Sequence, residues 1–88
     1  SKINYIHRRY ISNGEITNYG GITIAFMETD GHIVYASSHC SPKDNFSKFL
    51  GRTKAKGRLD SPHYRKTSDL SFKEFIAQNV GNINLDLY

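Results

Sequence analysis

The sequence predicts an α+β fold: a small antiparallel β-sheet in the order β-β-β-α-α-β, with two helices packed on one face. Asp30-Gly31 separates two alternating apolar runs, the pattern of a two-residue hairpin. Ser41 and Ser71 each stand three positions before an acidic residue, the capping box that begins a helix. The chain has 88 residues, is 38% hydrophobic and contains no Trp, which indicates a single domain over residues 1–88 with a thin core.

Three strands are predicted before residue 41. Residues 2–12 are rich in Ile and Tyr, and the following Asn13-Gly14 is a turn signal because both residues tolerate a positive φ. The second strand covers residues 21–29 and the third covers residues 32–40. Because only Asp30-Gly31 lies between these two strands, we expect them to pair antiparallel.

The first helix is predicted to begin at Ser41, with Asp44 completing the capping box and Pro42 at the first helical position. One stripe of this helix is expected to face the sheet. The stripe consists of Phe46, Phe49, Leu50, Thr53 and Gly57. Gly51 is expected to point outward.

The last part of the chain is predicted to hold a loop, a helix and a strand. Residues 60–69 are polar and contain Pro62, which is typical of a loop. Ser71 and Glu74 form the capping box of a shorter helix that ends at Gly81. Residues 82–88 alternate in hydrophobicity and are expected to form a strand that joins the sheet edge or pairs with a second copy.

Positive charge is concentrated in one segment of the chain. Eight of the twelve basic residues lie between residues 41 and 66, where only Asp44 and Asp60 oppose them, which leaves a net charge of +6. The other residues together are slightly acidic, so this segment accounts for the whole net charge of +4. Charge this localised indicates a negatively charged partner rather than a feature of the fold.

The basic segment predicts an RNA-binding surface. Cations one helical turn apart can meet successive phosphates, and aromatic residues among basic ones suit stacking on unpaired bases. A charge run is more often a solvated helix face, but the near absence of compensating acids favours binding. The residues predicted to bind RNA or another phosphate-rich polyanion are Lys48, Arg52, Lys54, Lys56, Arg58, His63, Tyr64, Arg65 and Lys66. Arg8, Arg9 and Tyr10 either extend this surface or are ordinary edge-strand residues.

Catalytic and metal-binding patterns are weak. On a strand, His39 and Cys40 point to opposite faces and therefore cannot pair. The four His residues lack paired-ligand spacing, so we predict no metal site, no cofactor and no catalytic residue. General acid–base cleavage of RNA by His32, His39, His63 and Tyr64 is an alternative, although nothing in the sequence brings two of these residues together.

Bulk properties favour an intracellular protein. A single cysteine cannot form an internal disulfide, which favours a reducing environment. No apolar run approaches the roughly 18–20 residues that a membrane span needs. We therefore expect a cytoplasmic protein without a membrane partner. A homodimer is expected because small domains often gain stability by oligomerising.

The run CSPKDNFSKFLGRTKAKGRL, from Cys40 to Leu59, resembles a pattern of short phage proteins. In these proteins a hairpin leads into Cys-x-Pro-Lys-Asp and then Gly-Arg-x-x-Ala-x-Gly-Arg, and many of them inhibit bacterial defences. In size and charge the chain is most similar to the phage RNA-binding inhibitors of the ToxN endoribonuclease toxin. It is also similar to the phage sponges that sequester cyclic nucleotide signals of Thoeris immunity. The resemblance implies phosphate recognition by Arg52, Lys56 and Arg58 in the host cytoplasm.

The sequence thus predicts a non-catalytic RNA-binding protein that inhibits a host toxin or defence factor. Two further classes remain open. The same cations could enclose a cyclic nucleotide, as in a sponge, or the basic face could dock directly on an acidic host defence enzyme.

Overall fold

Two sheets and two α-helices make up the computed structural model, which describes residues 2–87. The strands are β1 (Asn4–Arg8), β2 (Tyr10–Ser12), β3 (Glu15–Ile16), β4 (Tyr19–Thr29), β5 (His32–Asn45), β6 (Lys66–Ser68) and β7 (Ile83–Asn84), and the helices are α1 (Lys48–Leu59) and α2 (Phe72–Asn79). The larger sheet is antiparallel with the order β1-β4-β5-β6. The predicted α+β class with a small antiparallel sheet is confirmed.

A long hairpin formed by β4 and β5 is the centre of the larger sheet. The two strands pair from Thr29 opposite His32 at the turn to Tyr19 opposite Asn45 at the far end. Asp30 and Gly31 have φ values of 51° and 81°, the left-handed conformations that a two-residue turn between twisted strands requires. The predicted hairpin is therefore confirmed, and it is longer than expected.

The two helices lie on opposite faces of the larger sheet. Phe26 of β4 belongs to one core cluster, together with Phe75 of α2. Its neighbour Ala25 points to the other face and packs with Ala36 and with Ala55 of α1. The prediction that both helices pack on one face is wrong. The central strands carry apolar side chains on both faces of the sheet, so each face needs a helix to shield it from water.

Helix α1 begins at Lys48 rather than at Ser41. Residues 41–45 continue β5, and the Ser41 hydroxyl accepts a hydrogen bond from the Lys43 N–H at 3.2 Å instead of capping a helix. Ser47 is the N-cap and accepts from the Leu50 N–H at 3.2 Å. In this stretch Asn45 pairs with Tyr19 of β4, and the register of the hairpin shifts between Tyr19 and Gly21, opposite residues 41–44. The chain stays extended through Asn45, and the Phe46 N–H donates to the Asn18 oxygen at 2.9 Å, so the capping signal at Ser41 is not used.

The face of α1 that contacts the sheet also differs from the prediction. Ala55 and Leu59 are the buried residues of the helix, whereas Phe49 is 70% exposed. A Cβ on Gly51 would overlap the Thr23 side chain of β4, whereas a Cβ on Gly57 would meet open space. The expected inner stripe of Phe46, Phe49, Leu50, Thr53 and Gly57 is wrong as a helix face, because Gly51 and Ala55 let the helix backbone approach the sheet while Phe49 stays exposed. Phe46 lies before the helix and packs beside Gly21.

A second, smaller sheet ties the two ends of the described chain together. β2 pairs antiparallel with β3 across the predicted Asn13-Gly14 turn and parallel with β7. The tail therefore pairs within the chain. It forms a short strand followed by a 3-10 turn over Leu85–Leu87 instead of a strand over residues 82–88, and Tyr88 lies outside the described residues.

The second helix follows the prediction more closely. Ser71 accepts a hydrogen bond from the Glu74 N–H at 3.2 Å, and the Glu74 carboxylate accepts from the Ser71 N–H at 3.3 Å, so the capping box is confirmed. The loop expected over residues 60–69 contains the short strand β6, which pairs with residues 33–35 of β5. Among residues 2–87, neither helix is long and apolar enough to cross a membrane.

Replacing Gly51 with Ala should lower the free energy of unfolding by about 1–3 kcal/mol, because the added methyl group collides with Thr23. Replacing Gly57 with Ala in the same helix should raise it by about 0.5–1 kcal/mol, because Ala favours the helix and the site is open. Urea denaturation measures both changes. Equal stabilisation by the two substitutions would contradict the close contact at Gly51.

Candidate nucleic-acid interface

The cations of α1 are divided between the two flanks of the helix. Lys48 and Arg52 lie on the flank toward β1, where their charges act on the His7 side chain. Lys54 lies on the opposite flank and lines a cavity against β5. Arg58 is also on that side, where its Nη1 donates to the Ser37 main-chain oxygen at 2.9 Å.

Most of these charges are not neutralised within the protein. Lys56 lies 3.3 Å from the Asp60 carboxylate, and both side chains are exposed. Within residues 2–87 this is the one contact of an ammonium or guanidinium nitrogen with a carboxylate oxygen inside 4.0 Å. An exposed pair of this kind contributes little to stability. Lys48, Arg52 and Lys54 are exposed and remain available to an anionic ligand.

An apolar stripe separates the two basic flanks. Phe49 is 70% exposed and Leu50 is 53% exposed, and Leu50 also lines the same cavity as Lys54. Sequence reasoning missed this stripe because it placed the same residues against the sheet. The signal that could have found it is the spacing of Gly51, Ala55 and Leu59, which places small and buried residues one turn apart on the opposite side.

The segment after α1 brings some of the predicted residues together. Arg58, Tyr64 and Lys66 line a cleft of about 280 Å³ beside Tyr35 and Ser37 of β5. The Tyr64 ring is 62% exposed. His63 and Arg65 are also exposed in this turn, but they do not line the cleft. Of the predicted binding residues in this segment, Tyr64 and Lys66 therefore share a cleft with Arg58 of α1.

A second cavity, which sequence reasoning did not predict, lies between the first half of α1 and the sheet. It has a volume of about 320 Å³. The buried hydroxyl residues Thr23 and Ser38 form its floor, and Asp44 and Lys54 stand among its other lining residues. A cavity of this size is at the lower end of the range for small-molecule sites.

Cys40 also lines this cavity, but its contacts are those of a structural residue. Its Sγ lies 3.5 Å from the Asn45 carbonyl oxygen and 3.6 Å from the Asp44 and Ser41 carbonyl oxygens. A thiol is a weak donor, and these contacts hold it against the main chain of the segment that leads into α1.

His7 of β1 stands beside the N-terminal half of α1. Its Nδ1 lies 2.9 Å from the Thr23 hydroxyl oxygen, and its ring meets the Phe46 ring edge-on at a centroid distance of 5.7 Å. The Arg9 guanidinium carbon lies 4.6 Å from the centroid of the same Phe46 ring, a cation–π contact. Arg9 therefore lies on the α1 side of the sheet, as Lys48 and Arg52 do. Arg8 lies opposite Ile22, which packs against the α2 cluster, and its Nε donates to the Gly81 oxygen at 3.1 Å.

The charges around His7 change its titration. Burial lowers the pKa of His7 below its ordinary value of 6.5, and the positive charges of Arg52, Lys48 and Arg9 lower the pKa further. The unfolded chain therefore takes up the proton first as the pH falls. The stability associated with neutral His7 is present above about pH 6.5 and is lost as the pH falls through the folded-state pKa.

No protein-family model, curated protein or solved structure matches the chain. No residue therefore inherits a role from a relative, and the charge and geometry of the side chains decide what this surface can bind. Among residues 2–87, no three His, Cys, Asp or Glu side chains are grouped so that they could hold a metal ion.

Replacing Arg52 with Gln should raise the pKa of His7, because among the positive charges near the ring Arg52 lowers this pKa most. Lys54→Gln is the matched control, since it removes the same charge from the other flank of α1. Titration of the His7 imidazole by NMR measures both effects. An unchanged His7 pKa in the Arg52 variant would show that this guanidinium does not lie near the ring.

Proposed function

We propose that the protein binds single-stranded RNA without cleaving it, through the flanks of α1 and the segment over residues 60–66. The observation that carries this proposal is the set of exposed, unneutralised cations arranged around exposed aromatic rings. Proteins that bind single strands combine such charges, which hold phosphates, with aromatic side chains, on which bases stack.

The phosphate contacts are assigned to the helix. Lys48, Arg52 and Lys56 follow each other at intervals of four residues, so they are spaced by ~6 Å along the helix axis. A flexible single strand can follow this row with successive phosphates. Arg52 is the residue of the row that can make two parallel hydrogen bonds to one phosphate.

The base contacts are assigned to Phe49 and Tyr64. Phe49 is 70% exposed and Tyr64 is 62% exposed. Phe49 follows Lys48 in α1, and Tyr64 lines a cleft with Arg58 and Lys66. Stacking of a base on an aromatic ring contributes ~1–3 kcal/mol and tolerates any base. Sequence specificity should therefore be low, because phosphate and stacking contacts carry little sequence information.

The resemblance of residues 40–59 to short phage proteins supports a role for this RNA binding in neutralising a host toxin or defence factor. A protein that binds RNA without cleaving it could act as an inhibitor of an endoribonuclease toxin in the host cytoplasm. The homodimer expected from the sequence stays a prediction.

The double substitution Lys48→Ala with Arg52→Ala should weaken binding of a short oligouridine by at least roughly tenfold. It should also reduce the slope of log affinity against log salt concentration by about 0.7 for each phosphate that the variant no longer neutralises. Fluorescence anisotropy over a range of salt concentrations measures both quantities.

The matched control is Lys2→Ala with Lys73→Ala, which removes the same charge from exposed positions outside α1 and residues 60–66. The control should keep the wild-type slope. If both double variants lose affinity equally, net charge rather than the α1 surface attracts the RNA, and the site assignment is wrong.

A nucleotide sponge is the second candidate function, and the cavity of about 320 Å³ favours it. Thr23, Ser38, Asp44 and Lys54 line it, which suits a small polar ligand, and Lys54 supplies a cation for a phosphate. The RNA surface and this cavity share Lys54, so the two functions need separate tests.

A cyclic nucleotide that fills this cavity should raise the melting temperature of the protein. Stabilisation by a ligand at a hundred times its Kd is ~2.7 kcal/mol, which a thermal-shift assay detects easily. Lys54→Gln should reduce the shift, whereas Lys73→Gln should leave it unchanged. If no cyclic mononucleotide or dinucleotide of a panel raises the melting temperature, the proposal of a sponge function is wrong.

A further inference from the structure

We propose that His7, Arg9, Lys48 and Arg52 form a phosphate-binding subsite at the junction of β1 and α1, and that this subsite holds a phosphate most tightly when His7 is protonated. The inference rests on the proposed function, because Lys48 and Arg52 belong to the RNA-binding surface. It adds His7 of β1 and Arg9, which follows β1, together with a defined ligand group and a dependence on pH.

Arg9 is held in place before any ligand binds. Its Nη2 donates to the Thr17 oxygen at 2.9 Å, and its guanidinium lies over the Phe46 ring. Its main-chain N–H donates to the Asn82 side-chain oxygen at 3.0 Å, and its main-chain oxygen accepts from the Ile83 N–H at 2.8 Å. A cation that is already ordered loses little conformational entropy when it binds an anion.

Phe46 fixes the distance between Arg9 and His7. One face of the ring carries the guanidinium, and the His7 ring meets Phe46 edge-on with an interplanar angle of 81°. Gly21 lies against the same ring, since a Cβ there would come within 2.5 Å of a Phe46 ring carbon. A larger residue at position 21 would displace Phe46 and separate the two basic groups.

The first turn of α1 adds positive charge where helices usually carry negative charge. The helix dipole places a partial positive charge at the N-terminus, which favours Asp or Glu in the first turn. Here the first helical residue is Lys48 and the first turn has no acidic residue. Arg52 follows one turn later on the same flank. An anion bound from outside the chain would relieve this concentration of like charge.

Every charged group that acts on the His7 ring is positive. Arg9 at the end of β1 and Lys48 and Arg52 of α1 are the charged groups that act on it, while Thr23 of β4 and Phe46 are neutral. With Nδ1 engaged by Thr23, Nε2 is the imidazole nitrogen without a hydrogen-bond partner among residues 2–87. Protonated His7 can then donate to a phosphate oxygen through Nε2.

Binding and protonation are therefore coupled. A bound phosphate offsets the repulsion from the three cations and so raises the pKa of His7. By thermodynamic linkage, protonation of His7 raises the affinity for the phosphate by the same factor, about tenfold for each pH unit by which the pKa rises.

The probe for this subsite is inorganic sulfate, because it has the tetrahedral shape of phosphate and keeps its charge between about pH 5 and 8, where His titrates. NMR titration of the His7 imidazole with and without sulfate should show a higher pKa in its presence. Sulfate should also bind more tightly to the wild type as the pH falls. An unchanged His7 pKa at saturating sulfate would overturn the proposal.

Three variants separate the subsite from general attraction of anions. Arg52→Gln should abolish the effect of sulfate on the His7 pKa, and Lys48→Gln, at an equally exposed position, should reduce it. Lys73→Gln should leave the effect at its wild-type size. A wild-type response in both Arg52→Gln and Lys48→Gln would place the anion elsewhere.

A fourth variant, His7→Gln, tests the dependence on pH directly. It should bind sulfate with an affinity that no longer changes with pH, because the titrating group is gone. An affinity that still rises as the pH falls would assign the pH dependence to another group.

A parallel titration with oligouridine distinguishes failure of the subsite from failure of the proposed function. If oligouridine binds the protein but neither it nor sulfate changes the His7 pKa, the subsite is wrong and RNA binding stands. If sulfate raises the His7 pKa but oligouridine does not bind, the subsite stands and the RNA proposal is wrong.

Discussion

Thr23 of β4 and Ser38 of β5 face each other across the central hairpin and hold helix α1 through Gly51. The Ser38 hydroxyl donates to the Gly51 oxygen at 3.0 Å, and the Thr23 side chain fills the space that a side chain at Gly51 would need. Both hydroxyl residues are buried, and the Thr23 hydroxyl also contacts His7. One pair of small polar residues thus sets the distance and the rotation of the helix.

That rotation decides which chemistry the protein presents to solvent. With Gly51 and Ala55 against the sheet, the basic residues fall on both flanks, and Phe49 and Leu50 stay mostly exposed to solvent. The same packing brings Lys48 and Arg52 close to His7 of β1, on which the charge of Arg9 also acts. The proposed RNA surface and its phosphate subsite therefore depend on a helix whose first half packs through Gly51 and Ala55, with Leu59 buried at its end.

The sequence predicts those parts of the structure that short-range chemistry determines. The turns at Asp30-Gly31 and Asn13-Gly14 and the capping box at Ser71 all form as expected, because each depends on residues within a few positions of one another. The predicted start of α1 is wrong because the chain stays extended through Asn45, which pairs with Tyr19, a residue distant in sequence.

The candidate site was predictable in its charge and not in its geometry. The cations of α1 follow from composition and helical spacing, which the fold preserves. The part that His7 plays in the site could not be predicted in the same way. His7 is distant in sequence from Lys48 and Arg52, and only the fold brings it near their charges. The exposed apolar stripe of Phe49 and Leu50 was not predicted, because an argument from hydrophobic periodicity assumes that large apolar side chains face the core.

The measurement that tests the account most directly is photo-crosslinking of the protein to an oligouridine that carries a photoactivatable base, followed by mass spectrometry of the peptides. Bases that stack on Phe49 or Tyr64 should crosslink to the peptides that contain these residues. Crosslinks confined to α2, on the opposite face of the sheet, with α1 unlabelled, would contradict the claim that RNA binds along the basic helix.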